Sequence, residues 1–170
     1  RRELAALRHA VSKTAGFPLV LSAHTDSRSL AFVRRDDLAK LTQQGPATPD
    51  HVLRTKRLPL LGRDVEAYAA AYRKYFDTYT AQAKEPKTML DPAPRVLLDP
   101  QLGVCTFGRS GADAAKVYDI YSHTMDIQLR AARLGGYQAL AAKDIFDVEY
   151  WDLEQAKLRG QGEPRIFAGE

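Results

Sequence analysis

Two short apolar runs, residues 95–99 and 103–107, flank Pro100-Gln101-Leu102 and lead through Gly108-Arg109-Ser110-Gly111 into a long amphipathic stretch that stops at Gly135-Gly136. The two runs read as a β-hairpin. The stretch after them reads as a helix to about Leu134, because Ser110 with Asp113 three residues on resembles a capping box in which Asp replaces Glu. This helix carries two apolar stripes. One is Ala114, Tyr118, Tyr121, Met125 and Leu129; the other is Val117, Ile120, Ile127, Ala131 and Leu134. A surface helix needs one such stripe, so two imply cover on two sides. A hairpin feeding a helix that is covered twice belongs in a layered α/β arrangement.

The rest of the chain supplies the layers. Residues 1–14 read as a helix with Leu4, Leu7 and Val11 on one stripe and Gly16 as its stop. Residues 17–23 read as a short strand, buried on both faces if its neighbours are parallel. Residues 30–33 fit either a strand or a helical turn. Residues 36–43 read as a helix capped by Asp36 or Asp37 and ended by Gly45. A strand over 57–61 follows, and then a long helix over 64–84 with Asp64 as its N-cap. Its face of Val65, Tyr68, Tyr72, Tyr75, Phe76 and Tyr79 reads as core or interface packing. Residues 83–94 hold three prolines and read as a connector. Residues 143–158 read as a final helix or two half-helices, with apolar residues too closely spaced for one exposed face. The expected architecture is α/β in three layers, with helices packed on a small mixed sheet. One domain over 1–158 is expected, followed by a tail or linker over 159–170.

Composition narrows the function. The chain has 170 residues, 45% of them apolar and 27% charged, which is ordinary for a water-soluble globular protein. Its net charge of +4 comes from interleaved acids and bases, whereas a nucleic-acid surface needs clustered Lys and Arg. No apolar run reaches the roughly 20 residues of a membrane span, and no signal-peptide pattern opens the chain. The single cysteine, Cys105, cannot form an internal disulfide and points to a reducing, cytoplasmic setting. In a strand it reads as inert packing. The opening Arg1-Arg2-Glu3 lacks a methionine, so a processed chain or a piece of a longer one is expected.

Residues 45–61, GPATPDHVLRTKRLPLL, concentrate special side chains. Thr48-Pro49 reads as a helix start in which the Thr hydroxyl caps an amide and Pro sits at the first helical position. Asp50 then suits the positive end of the helix dipole, and His51, Arg54, Thr55 and Lys56 follow at once. Arg54, Lys56 and free amides could bind a phosphate or carboxylate, which makes Thr48, Asp50, His51, Arg54, Thr55 and Lys56 the candidate anion or substrate site. The same residues also read as a capped turn with a solvated basic rim. His24, in the loop after the first strand, is a second, weaker site candidate. His123 reads as a packed histidine. The Gly-Arg-Ser-Gly turn before the long helix could cradle phosphate, but it lacks the P-loop lysine and spacing and the GxGxxG fingerprint, and a simple capped turn explains it.

No local pattern names a reaction. The four histidines are far apart in sequence, with no HxH, HExxH or CxxC pair to seed a metal site and no GxSxG elbow. No catalytic residue and no metal ligand is therefore assigned.

At GPATPDHVLRTKRLPL, at PRVLLDPQLGVCTFGRSGADAAKVYDIYSHTMDIQLRAARLGG and at DIFDVEYWDLEQAKL, the chain resembles bifunctional proteins in which a class II aldolase/adducin-type domain precedes a short-chain dehydrogenase. These are described as rhamnulose-phosphate aldolase/alcohol dehydrogenases. The resemblance covers essentially the whole chain and falls between the two catalytic halves. It implies a parent enzyme of sugar metabolism, a lyase joined to an oxidoreductase, that uses zinc and NAD(P). Neither the zinc histidines nor the dehydrogenase Tyr-xxx-Lys pair can be assigned here, so no cofactor is expected in this chain. The hairpin and helix over 95–134 resemble the last strands and helix of a class II aldolase domain, with Gln101-Leu102-Gly103 where that family carries Asn-His-Gly. The resemblance thus implies a degenerate aldolase-like unit, an accessory domain whose partners are the parent's other domains or a second copy of itself. The alternative it implies is a sugar-phosphate subsite that serves the parent directly.

Overall fold

The hairpin forms as read and anchors the sheet. In the computed structural model, which describes residues 2–151, the first half of the chain gives α1 (Arg2–Ala15), β1 (Val20–His24), α2 (Ser27–Val33), α3 (Leu38–Thr42), a 3-10 turn (Pro49–His51), α4 (Val52–Thr55) and β2 (Leu60–Leu61). Then come α5 (Val65–Thr80), β3 (Val96–Asp99), β4 (Gly103–Gly108), α6 (Gly111–Arg133) and α7 (Ala142–Glu149). The sheet order is β1-β4-β3-β2. The first two pairings are antiparallel and the last is parallel, so the sheet is mixed.

Alternation along the strands sorts side chains to two faces. Leu97, Cys105 and Phe107 face one way and pack with Leu7 and Val11 of α1 and Val65 of α5. Val96, Leu98 and Val104 face the other way and pack with Phe32 and Val33 of α2 and with Val117, Tyr121 and Met125 of α6. Helix, sheet, helix is the expected three-layer order. Each large apolar side chain buried here contributes about 1.5–3 kcal/mol. A third cluster joins Tyr72, Tyr75 and Phe76 of α5 to Phe146 and Tyr150 at α7, so the tyrosine-rich face is packing surface, as its spacing suggests.

The hairpin turn is held by one carboxylate. Asp99 Oδ1 accepts the amides of Gln101 and Leu102 at 2.8 and 2.9 Å, and Oδ2 takes Arg63 Nε at 2.7 Å. Gly103 follows with φ 74°. A Cβ there would collide with the His24 carbonyl oxygen on β1, so only glycine lets β4 start so close to its neighbour.

Several expectations need correction. The first strand begins at Val20, not at residue 17, and lies antiparallel to β4 at the half-exposed sheet edge, so the two-sided burial tied to parallel neighbours does not arise. Residues 30–33 are helical, within α2, because Asp26 caps its amino end by accepting the Ser29 amide at 3.0 Å. The helix expected over 36–43 shrinks to Leu38–Thr42, and Asp37 makes no side-chain cap because both its oxygens hold Arg35, at 2.7 and 2.8 Å. The strand expected over 57–61 pairs only at Leu60–Leu61. Pro59 has no N–H to donate, and the carbonyls of Leu58 and Pro59 are taken by Tyr68 and Gln43. The long fifth helix ends at Thr80. The final helix ends at Glu149; the remainder expected as helix, 152–158, and the expected tail over 159–170 lie outside the described residues. The caps at Asp64 and Ser110 form as read, accepting the amides of Ala67 and Asp113.

Candidate anion-binding cavity

Thr48 and Pro49 do open a helical segment, but not as the expected capped α-turn. Thr48 is extended and exposed, and its side chain makes no cap. Its carbonyl instead accepts the His51 amide at 3.2 Å, starting the 3-10 turn that α4 continues. The turn is closed from within. The buried Thr55 hydroxyl sits 3.0 Å from the carbonyl oxygens of both His51 and Lys56 and can donate to either. Thr55 is therefore a structural residue, not a ligand-facing one.

Lys56 ends α4 with φ 62° and ψ 169°, a combination that costs a residue with a Cβ about 1–3 kcal/mol. This backbone sends the side chain into the protein, where Lys56 is only 4% exposed. Its Nζ donates to the Asp91 carbonyl at 2.7 Å and to Tyr72 Oη at 3.3 Å, and lies 4.3 Å from the Tyr72 ring centroid. Burial lowers its pKa to about 8, with Asp91 and Glu149 pulling the other way. A solvated basic rim is therefore not what the turn forms at Lys56.

Arg54 and Lys56 line a cavity of about 210 Å³. Its apolar wall is Phe17, Leu53, Leu90, Phe107 and Val117. Its charged wall is Arg54, Lys56, Arg95 and Arg109 against Asp91 and Asp113. Arg95 Nη2 binds Asp91 Oδ2 at 2.6 Å. Burial alone would raise the Asp91 pKa, but Lys56 and Arg95 beside it hold it below the usual carboxylate range. Asp91 therefore stays charged and fixes Arg95. The Arg109 guanidinium lies 4.2 Å from the Phe17 ring centroid, and that of Arg95 lies 5.9 Å from the same ring. Stacking on Phe17 leaves the N–H edge of Arg109 for an acceptor, whereas Arg95 already donates to the Ala93 carbonyl at 3.1 Å and to Asp91.

The amino end of α6 closes the cavity. Gly108 has no room for a Cβ, which would meet the backbone and side chain of Asp113. This close approach brings the end of β4 and Arg109 against the first helical turn. A 23-residue helix presents its positive end here. Four cationic side chains, two carboxylates and a helix amino end give the cavity an excess of positive charge.

Behind Lys56 lies a buried polar chain. Tyr72 Oη is 2.7 Å from Glu149 Oε1 and 2.7 Å from Tyr150 Oη, and Tyr150 Oη accepts the Leu90 amide at 3.3 Å. Glu149 is fully buried. Its pKa is raised by that burial, and Lys56 and Tyr72 offset part of the rise.

The residues singled out in sequence thus separate. Arg54 and Lys56 share the cavity, Thr55 braces the turn, and Thr48 and Asp50 are exposed and do not line it. His51 does not line the cavity either; burial lowers its pKa, and the nearby His123 lowers it further. His24 ends β1, with its ring stacked on Tyr118 at 3.4 Å between centroids and 6° between planes. Among the described residues, no group of three or more His, Cys, Asp and Glu is placed to hold a metal ion. Cys105 is buried, and that burial pushes its thiol up to about 11, far from a reactive thiolate. Arg95 and Asp91 were not singled out in sequence, and Asp113 was read only as part of a helix cap. Arg109 did carry a signal, the Gly-Arg-Ser-Gly turn, and both Gly108 and Arg109 line the cavity.

Against known families, the profile described as "Aldolase class II, second domain" matches residues 1–158. The chain is also similar to the protein named "Uncharacterized oxidoreductase YuxG" of Bacillus subtilis (strain 168), 30% identical over a 169-residue alignment. That alignment takes in 89% of this chain and 24% of YuxG, so the chain spans about a quarter of that relative's length. No solved structure matches the chain, so the aldolase relation rests on sequence.

Proposed function

The chain belongs to the class II aldolase second-domain family, and from that premise we propose that it is the accessory, substrate-holding module of a multidomain aldolase–dehydrogenase of sugar metabolism. Its task is to bind the anionic end of a phosphorylated sugar in the cavity between α4, the start of β3 and α6. The carrying observation is the convergence of Arg54, Arg95 and Arg109 from three separate segments on one cavity. The oxidoreductase name of the relative supports a parent with redox chemistry. Zinc and NAD(P) belong to the parent's other domains in this reading. Cytoplasmic residence and assembly as a homo-oligomer with the parent's other domains complete the proposal.

The test is a titration of the chain with inorganic phosphate, followed by amide shifts in NMR spectra. Shifts are expected at Arg54, Arg95, Arg109 and the first turn of α6. Replacing Arg109 with Ala should weaken binding about tenfold or more, since a charge-assisted hydrogen bond contributes about 1.5–3 kcal/mol. Shifts scattered over the surface, or binding indifferent to Arg109→Ala, would leave only a scaffold. That second reading has its own support in the inward ties of Thr55 and Lys56.

A further inference from the structure

We propose that residues 86–94 form a strap that couples an anion in the basic cavity to the carboxyl end of α7, with Asp91 as the built-in anion that a ligand must displace. The proposal rests on the anion reading above and adds a consequence of binding to it. It starts from Arg95, which lines the cavity with N–H groups already engaged, by the Ala93 carbonyl at 3.1 Å and by Asp91 Oδ2 at 2.6 Å. Asp91 lines the same cavity, and Lys56 and Arg95 keep it charged. An incoming anion therefore meets a carboxylate on the guanidinium it would use. Like charges a few ångströms apart repel strongly away from bulk water. The ligand takes over Arg95, and Asp91 gives way.

The way the strap is tied decides where that displacement goes. Residues 86–94 adopt neither helix nor strand. After Asp91 the strap is fixed: Pro92 and Pro94 stiffen it, and Ala93 is fully buried with Leu97 and Phe107. Movement therefore passes to the residues before Asp91. Leu90 is the first of them, and its amide donates to Tyr150 Oη at 3.3 Å. The Tyr150 ring in turn stacks on Phe146 of α7, 4.6 Å between centroids. The second tie leads to the same place. Lys56 Nζ holds the Asp91 carbonyl at 2.7 Å and Tyr72 Oη at 3.3 Å, and Tyr72 Oη is 2.7 Å from Tyr150 Oη. Tyr150 does not line the cavity, yet both routes out of the cavity end on its hydroxyl. With the cavity empty, Asp91 on Arg95 keeps the strap and α7 locked together. With an anion bound, the Leu90–Tyr150 bond loosens, and Tyr150 shifts with the half-exposed Trp151 after it. The coupling is reciprocal, so whatever weakens the strap's hold on α7 eases binding of the anion.

The experiment titrates the full chain with inorganic phosphate, at an ionic strength held constant with sodium chloride. It follows backbone amides by NMR together with the emission of Trp151, the single tryptophan of the chain. The amides of Leu90, Tyr150 and Trp151 are expected to shift with the same midpoint as that of Arg109, and the Trp151 emission to change with them. Asp91→Asn removes the competing charge at nearly constant size, so phosphate should bind several-fold more tightly, with a smaller response at Trp151. Tyr150→Phe removes the hydroxyl on which both routes end. It should bind phosphate at least as tightly as the wild type and lose the Trp151 response. Should either variant fail a check of its fold by circular dichroism, the wild-type titration decides alone. Shifts at Arg109 without a response at Leu90, Tyr150 and Trp151 overturn the coupling and leave the anion cavity in place. So does Asp91→Asn binding no more tightly than the wild type, or Tyr150→Phe keeping the full Trp151 response. Absence of phosphate binding in every form of the chain removes the cavity reading and the coupling together.

Discussion

Gly103 and Gly16 both hold positive φ, 74° and 82°, but their surroundings differ. A Cβ at Gly16 meets nothing, while one at Gly103 strikes the His24 carbonyl oxygen. Gly16→Ala should therefore cost only the backbone term, about 1 kcal/mol, and Gly103→Ala clearly more, about 2–4 kcal/mol once strand displacement is added. Urea unfolding of the two variants measures the difference, and equal losses would contradict the close approach of β4 to β1. Lys56 sets a pH dependence at the same scale. Its folded pKa, about 8, lies below its ordinary 10.5, so the folded chain binds fewer protons in between and stability rises with pH. The contribution is complete above 10.5 and is lost as pH falls through 8. Glu149 has the opposite sense: burial raises its pKa, so its contribution is complete below 4.5 and fades as pH climbs through the folded value. Thermal unfolding between pH 8 and 10 should therefore show a rise that Lys56→Met flattens; parallel profiles would place the amine in water.

At the scale of elements, α7 is held by aromatic packing. The Phe146 ring lies 4.6 Å from Tyr150, 5.6 Å from Tyr75 and 6.0 Å from Phe76, centroid to centroid. Removing it opens a cavity among rigid rings, so Phe146→Ala should lower stability by about 3–5 kcal/mol. Leu140→Ala, just before the helix and half-exposed, should change it by less than about 0.5 kcal/mol. Differential scanning calorimetry separates the two, and a mild Phe146→Ala would mean that α7 is only loosely docked. Two helix starts were legible from their caps, while the Asp26 cap of α2 was not read and Thr48 makes no side-chain cap. Asp64 and Ser110 cap as their spacing suggests, whereas Asp37 is drawn off by Arg35 two residues before it. The edge position of β1 was not legible, because an apolar run does not say whether one neighbour or two will cover it.

At the scale of the whole molecule, the cavity is a product of the three layers. Arg54 comes from α4, Arg95 from the residue just before β3 and Arg109 from the turn into α6. The phosphate titration belongs here, since it reads the three segments together. Arg95→Ala should cost stability as well as affinity, because it leaves the largely buried Asp91 carboxylate without its 2.6 Å partner, whereas Arg109→Ala should cost affinity alone. The family match over 1–158 says what kind of module this is; the cavity says what such a module could hold.

Local chemistry by itself determined the hairpin, two helix starts, the three-layer class and the oddness of the segment that ends at Lys56. Those features depend on periodicity, caps and turns, which act over a few residues. Only the tertiary structure decided that Arg54 and Lys56 share a cavity with Arg95 and Arg109, that Thr48, Asp50 and His51 do not line it, and that Lys56 is buried beside Tyr72 and Glu149. Those meetings join residues up to 93 positions apart, and no local pattern encodes them. They arise because burying both faces of one small sheet fixes where every connecting segment must end.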